Sequence, residues 1–149
     1  MTNSRLRLLT AFFALTAICG CSSLDNCPNG ADKPIIIDTG TTDQASLTFE
    51  SAPWGGPLDA FPAKTELEFK HDLGVTPLLV NAFLSFSKVG TNDQDAGSVT
   101  EVAGNEAPIE CVDSHVIIVK NDTCEKSFFI RVVTLGVSPH SSDDTHCGE

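Results

Sequence analysis

The chain has 149 residues, with nine lysines and arginines against 20 aspartates and glutamates, and a formal net charge of −11 at pH 7. So acidic a balance argues against a protein that binds nucleic acid or adsorbs to anionic lipid through its own side chains. The length suits one domain with a single hydrophobic core.

The first 20 residues have the pattern of an export signal. Arg5 and Arg7 are their only charged residues, and residues 8–18 (LLTAFFALTAI) are apolar apart from two threonines. As a helix this run would rise about 16 Å, roughly half the hydrocarbon core of a bilayer, so it is too short to span one. A charged start, a short apolar middle and small residues at the end are typical of a secretory signal peptide.

The signal ends at Ile18-Cys19-Gly20-Cys21, which resembles the lipobox of bacterial lipoproteins. The resemblance implies cleavage before Cys21, a diacylglyceryl thioether on its sulfur and an acyl chain such as palmitate on its new amine. Cys19 replaces the usual Ala, Ser or Thr and could itself be modified, but Ile18 would then lie beside the scissile bond, which favours Cys21. The alternative is an ordinary signal peptide cut near Gly20, which leaves a soluble periplasmic protein.

A lipid on Cys21 would make the membrane the first partner of this chain. Each buried methylene contributes about 0.8 kcal/mol, so two or three acyl chains hold a protein firmly. Ser22 and Ser23 follow Cys21, and by the same resemblance the lack of an Asp there implies sorting to the outer membrane of a two-membrane cell, facing the periplasm or the surface. Beyond residue 20, seven bases and 20 acids leave a formal charge of −13.

In chain order, we expect a signal peptide (1–20), a polar lipidated tether (21–33), a β domain (34–136) and a polar tail (137–149). Period-2 alternation and flanking turn residues predict seven strands in the domain. In residues 78–87, the alternation predicts an inward face of Leu78, Val80, Ala82, Leu84 and Phe86. The seven strands are predicted at 34–38, 45–50, 65–70, 78–87, 98–103, 114–120 and 127–135.

Short strands at this spacing, without a convincing helix after the signal, predict an all-β fold, a single β-sandwich or jelly-roll-like domain. Residues 121–126 between the last two strands are rich in Asn, Asp and Thr, which predicts a hairpin. The connection His71-Asp72-Leu73-Gly74-Val75-Thr76-Pro77, the apolar strand after it and this hairpin resemble small β-sandwich modules of phage tail proteins and H-type lectins over residues 64–135. This resemblance supports the fold rather than a function.

Four cysteines remain after processing, and an even number in an exported domain predicts two disulfides. The sequence has no Cys-x-x-Cys pair, the spacing that would indicate a zinc site. Cys124 lies in the expected hairpin turn and Cys111 before its first strand; about five extended residues separate these ends by roughly 17 Å, well beyond the Cα spacing of a disulfide. Cys147 follows the second strand of the hairpin and so returns to the Cys111 end. We therefore expect Cys111–Cys147 and Cys27–Cys124, although a less regular segment before Cys124 would leave Cys111–Cys124 open.

Two acidic stretches are candidate metal sites. Asp93 and Asp95 alternate before a glycine, a spacing that lets carboxylates converge on Ca²⁺. The third acid and the distant bidentate Glu of an EF-hand loop are missing, which favours a solvated acidic loop over a calcium site. In the tail, imidazole and carboxylate groups could bind a transition metal or simply face solvent. The tail residues are His140, Asp143, Asp144 and His146.

Trp54, the only Trp, lies in the Pro- and Gly-rich loop 51–63. It could stack on a sugar, anchor a protein partner or cap one end of the core. His71 and Asp72, at the start of the 71–77 connection, are further ligand-binding candidates.

Sequence motifs for catalysis are missing. There is no Gly-x-Ser-x-Gly motif and no phosphate-cradling glycine loop, and each remaining cysteine has a structural explanation. We expect no cofactor beyond the Ca²⁺ candidate. The sequence favours a non-catalytic envelope or surface protein for binding, adhesion or assembly. A carbohydrate-binding, lectin-like module around Trp54 is the alternative, and a hydrolase with an unrecognised site is a third hypothesis.

Overall fold

The computed structural model describes residues 27–89, 98–102, 104–137 and 147. Ten strands and no helix make up this part of the chain, which confirms the all-β prediction. No helix in it is long and apolar enough to cross a membrane. The strands are β1 Ile35–Ile37, β2 Thr41–Asp43, β3 Thr48–Glu50, β4 Asp59–Phe61, β5 Glu66–Lys70, β6 Pro77–Ser85, β7 Thr100–Glu101, β8 Ile109–Val112, β9 Val116–Lys120 and β10 Phe128–Val137.

The strands form two sheets. The small sheet has the order β1-β5-β9-β8, and the large sheet has the order β2-β3-β10-β6-β7, with β4 also paired to β10. β6 pairs along most of one edge of β10, while β3 and β4 share the other edge, β3 opposite residues 133–134 and β4 opposite residues 128–130. Only the β1–β5 pairing is parallel among the described strand pairs.

The core lies between the sheets and comes from alternating residues. Strand β5 buries Leu67 and Phe69 as predicted, and these lie opposite Val119 and Ile117 of β9. The large sheet faces them with buried apolar residues of its central strands. Each such side chain contributes about 1.5–3 kcal/mol by leaving water. The large-sheet members are Phe49, Ala82, Leu84, Ile130 and Val132.

Three of the ten strands were not predicted. β2, β4 and β8 lie outside the seven predicted ranges, and β4 lies within the expected loop 51–63. Each has only three or four residues, so pairing with a neighbouring strand, and not local alternation, specifies it. The strand expected at 45–50 begins later, at Thr48. A turn precedes it, in which the backbone N–H groups of Ala45 and Ser46 donate to Asp43 Oδ1 and Leu47 has a positive φ of 53°.

The predicted hairpin of residues 114–120 and 127–135 is wrong. β9 belongs to the small sheet and β10 to the large sheet, so residues 121–127 cross between sheets. Fully buried Asn121 holds this crossover: its Nδ2 donates to the carbonyl oxygens of Phe61 and Glu125, and its Oδ1 accepts from the Thr123 backbone N–H. Turn-forming residues between two strands therefore do not distinguish a hairpin within one sheet from a connection that crosses to the other sheet.

The predicted inward face of β6 is correct only in its middle. Ala82 and Leu84 are buried and Val80 packs against the core, but Leu78 and Phe86 are 64% and 68% exposed. With nine residues, β6 is nearly twice as long as β5 or β9, which have five each. Its ends therefore extend past the opposing sheet.

Two disulfides join the domain to segments outside its sheets, in the pairing that the sequence favoured. Cys27 bonds to Cys124 with Cα atoms 4.8 Å apart, and Cys111 bonds to Cys147 with Cα atoms 5.8 Å apart. The first fixes a residue of the expected tether to the crossover at 121–127. The second fixes a residue of the expected tail to β8.

Candidate functional site

A buried arginine lies on the outer face of the large sheet. Arg131 follows Ile130 and precedes Val132 in β10, and because both neighbours face the core, its side chain lies on the opposite face. It is nevertheless fully buried. The guanidinium lies 3.8 Å from the ring centroid of Trp54, and its Nε donates to the Ala52 carbonyl oxygen.

The loop between β3 and β4 (residues 51–58) supplies this cover. Ser51 ties it to the middle of β10, because its backbone N–H donates to the Val132 carbonyl and its Oγ accepts from the Val132 N–H. A turn follows, in which the Gly56 N–H donates to the Pro53 carbonyl. A Cβ at residue 56 would lie 2.4 Å from Pro53 Cγ, so this tight turn needs glycine. Trp54 lies within the turn.

The indole is held in place while half of it stays in solvent. Phe83, the direct cross-strand neighbour of Arg131, meets Trp54 edge-on with ring centroids 4.9 Å apart. Trp54 remains 46% exposed. A cation–π contact with a desolvated guanidinium contributes about 2 kcal/mol, and an edge-on aromatic pair about 1 kcal/mol. The ring is therefore an ordered apolar surface.

The carboxylate of Glu50 compensates the charge of Arg131 from one side of the guanidinium. Nη2 lies 2.7 Å from Oε2 of Glu50, which is itself half-exposed. Neither Nη1 nor Nη2 has an acceptor in hydrogen-bond alignment within the described residues, so this contact is an ion pair without a directional hydrogen bond. The guanidinium thus depends on Glu50, the Ala52 carbonyl and the indole for its stability.

Exposed apolar side chains continue from Trp54 along the sheet. Register places Val133 opposite Asn81 and Leu135 opposite Leu79, all on the face that carries Arg131. Leu79 and Leu135 are 46% and 49% exposed. Acidic and polar residues border them, because Glu50 and Glu101 lie on the same face. We call Trp54, Phe83, Val133, Leu135 and Leu79 the outer strip.

An exposed apolar strip with a polar border is typical of a surface that contacts another molecule. Trp54 was predicted as a candidate, whereas Arg131 was not. The available signal was its position: Arg131 is the only charged residue in residues 127–135, a segment that otherwise has the alternation of a buried strand.

His71 is placed in the core. Its Nδ1 accepts from the Leu73 N–H, so its Nε2 carries the proton and donates to the Asp113 carbonyl oxygen. Burial lowers the pKa of His71, although the bond to Asp113 opposes this shift. The imidazole is fully buried and holds the 71–77 connection against residue 113, which is a structural role for this ligand-binding candidate.

Asp72 points away from that core. Its backbone has a positive φ of 47°, its side chain is 80% exposed, and its carboxylate lies 3.9 Å from Nδ1 of His115. The structure therefore does not bring Asp72 and the buried His71 together as a binding pair.

The metal candidates Asp93 and Asp95, the tail residues His140 to His146 and the lipidation candidate Cys21 lie outside the described residues. Within the described ranges, no group of three or more His, Cys, Asp or Glu side chains could hold a metal ion. The calcium hypothesis remains a prediction.

The fold and the outer strip define a class: a disulfide-bonded, two-sheet all-β domain that presents an ordered aromatic and aliphatic surface. Comparison with protein-family models, curated proteins and solved structures found no match for this chain. Its function must therefore be argued from its own geometry.

Replacing Arg131 tests whether it holds Trp54 in place. We expect Arg131→Ala to shift Trp54 fluorescence emission to longer wavelength and to lower the free energy of unfolding by about 2–4 kcal/mol, because the Ala52 carbonyl loses its donor and the indole its support. The chain has one Trp and no Tyr, so emission reports on this site alone. Lys64→Ala, which removes an exposed partner of Asp122, is the control and should cost under about 1 kcal/mol. Unchanged emission in Arg131→Ala would contradict this role.

Stability should depend on pH through His71. Its pKa is lower in the fold than its value near 6.5 in the unfolded chain, so the unfolded state binds the proton more tightly. The contribution of neutral His71 is complete above pH 6.5 and is lost as pH falls from there through the folded-state pKa. Between pH 7 and pH 5, chemical denaturation should show a smaller loss of stability for His71→Gln than for the wild type. An equal loss of stability in the wild type and in His71→Gln would refute the assignment.

Proposed function

We propose that this chain is an exported, lipid-anchored, non-catalytic protein that binds a protein of the cell envelope or surface through the outer strip. The observation that carries this proposal is a half-exposed Trp54, fixed between Arg131 and Phe83, beside exposed Leu79 and Leu135. An accessory subunit of an envelope assembly fits this surface.

The chemistry of the strip favours a protein partner. Tryptophan is enriched among the residues that contribute most to protein–protein binding, and aliphatic neighbours exclude water around it. Because Arg131 and Phe83 already fix the indole, little side-chain entropy remains to be lost on binding. A sugar could use the polar border of Glu50 and Glu101, but it would leave the two exposed leucines in solvent, whereas a protein partner would cover them.

The proposed anchor would hold the domain close to its membrane. Only five residues lie between Cys21 and Cys27. The six steps from Cα to Cα span at most about 20–22 Å when fully extended. Cys27 is bonded to Cys124 in the crossover at 121–127. In a protein lipidated at Cys21, this end of the domain therefore lies nearest the lipid, and partners in the same membrane are within reach.

A carbohydrate-binding role is the second candidate, and the exposed half of the Trp54 ring is what favours it. An indole held in one orientation offers a flat surface for the apolar face of a sugar. In this case the aliphatic part of the strip would remain in solvent.

Substitutions in the strip distinguish these functions. Full-length protein would be cross-linked in its native membranes and purified with its partner. We expect Trp54→Ala and Leu135→Ser to reduce recovery of a stoichiometric envelope protein about tenfold or more, as for a central contact residue. Phe86→Ala, which removes an aromatic ring exposed at the end of β6, is the control and should retain the partner.

If both strip variants retain the partner at the wild-type level, the outer strip is not the interface. A shift of Trp54 emission on adding oligosaccharides, together with no stoichiometric protein partner, would support the carbohydrate alternative.

The mass of the intact protein tests whether Cys21 carries the proposed lipid anchor. Protein extracted from membranes should begin at an acylated Cys21 and gain the mass of about four hydrogens on reduction, two for each disulfide. Cys21→Ser is the matched variant and should leave the membrane fraction. An unacylated mass in the wild type, whether mature or full-length, would contradict the proposed anchor.

A further inference from the structure

The loop that carries Trp54 also borders an open cavity of about 490 Å³. Ser51, Pro53 and Pro57 of the loop, Asp59 of β4, Lys88 and Phe129 of β10 are among its lining residues. The volume is within the range of sites that hold small ligands or single side chains.

Asp59 is the chemically unusual residue of this cavity. The Ser51 hydroxyl, which accepts from the Val132 N–H, donates to the Asp59 carboxyl. Oδ2 of Asp59 is buried and has no hydrogen-bond partner within the described residues. Burial raises the pKa of Asp59, and the Ser51 bond offsets only part of this rise.

A buried carboxylate oxygen without a donor is costly, and a cation restores most of the lost stability. Among the described residues, no Lys, Arg or His forms an ion pair with Asp59. Lys88 borders the same cavity but is exposed, so water screens its charge. The net charge of the whole chain, −11, also favours the approach of a cation.

The rest of the lining suits an apolar stem. Pro53, Pro57, Leu58 and Phe129 offer carbon surface around the partly buried carboxylate of Asp59. An alkylammonium group has this combination, because its charge is confined to one end of a chain of methylenes.

We propose that this cavity binds an alkylammonium group, with Asp59 as its counter-charge. The group could belong to a small free amine or to a lysine side chain of a bound polypeptide, since both present the same chemistry. The inference goes beyond the proposed function and does not require the outer strip to have a partner.

Titration of the full chain with Nα-acetyl-lysine methylamide, followed by NMR, tests the proposal. We expect saturable shifts of the Asp59 and Phe129 resonances, and an affinity about tenfold or more higher than for the matched Nα-acetyl-norleucine methylamide, which lacks the charge. n-Butylamine, a free amine without the peptide groups, should bind at the same site. Tighter binding of the lysine derivative than of butylamine would assign the ligand to polypeptides, and the reverse would assign it to free amines.

Asp59→Asn keeps the side-chain shape and removes the charge. We expect it to weaken lysine methylamide binding about tenfold or more without loss of folding, because it removes a partly buried charge and keeps an oxygen that can accept from Ser51. Asp72→Asn removes an exposed carboxylate and should bind like the wild type. In the wild type, binding should weaken as pH falls through the raised pKa of Asp59, whereas Asp59→Asn should show no such dependence.

Three results would overturn the inference: equal affinity for the norleucine derivative, unchanged binding by Asp59→Asn, or Asp59-dependent binding of methyl glycosides with none of amines. Trp54→Ala should retain amine binding. If Trp54→Ala loses the envelope partner and still binds amines, the two sites are independent. Either proposal can then fail without the other.

Discussion

The alternation of side chains along β10 is the constraint on which the rest of the structure depends. Ile130, Val132 and Thr134 face inward and are fully buried, and Thr134 Oγ1 accepts the Phe49 N–H that helps to fix β3. Because β10 pairs on both edges, the same ten residues hold β3, β4 and β6 in one sheet. The intervening residues necessarily form the outer face, so the core and the candidate interface share one strand.

Buried polar side chains hold the connections between these strands. His71, Asn121 and Arg131 are fully buried, and each bonds to backbone carbonyl oxygens distant in sequence. Such bonds fix the connecting loops in place, since an unpaired buried polar group would be costly. Asp59 departs from this pattern, and that is why the cavity beside it points to a ligand.

Much of the fold could be predicted, and little of the site. The burial of Leu67 and Phe69 followed from period-2 alternation, and the two disulfides followed from the distance that an extended strand imposes between Cys111 and Cys124. The length of β9 argued correctly against Cys111–Cys124, but the choice of Cys147 as the partner of Cys111 also used the expected hairpin, and that hairpin is wrong. At the site, Trp54 was identified by its rarity, but its contact with Arg131 joins residues 77 positions apart and has no local signal.

The sequence by itself determined the fold class and favoured the observed cysteine pairing, because alternation and strand length are local properties of the chain. Tertiary structure decided which strands share a sheet, that His71 is buried while Asp72 is exposed, and that Arg131 holds Trp54 above the outer strip. These outcomes depend on packing between distant segments. The charge of Arg131 can be buried in an apolar strand only because the loop 51–58 folds back and covers it. Hydrogen bonds to β10 hold this loop in place, and no local sequence pattern specifies them.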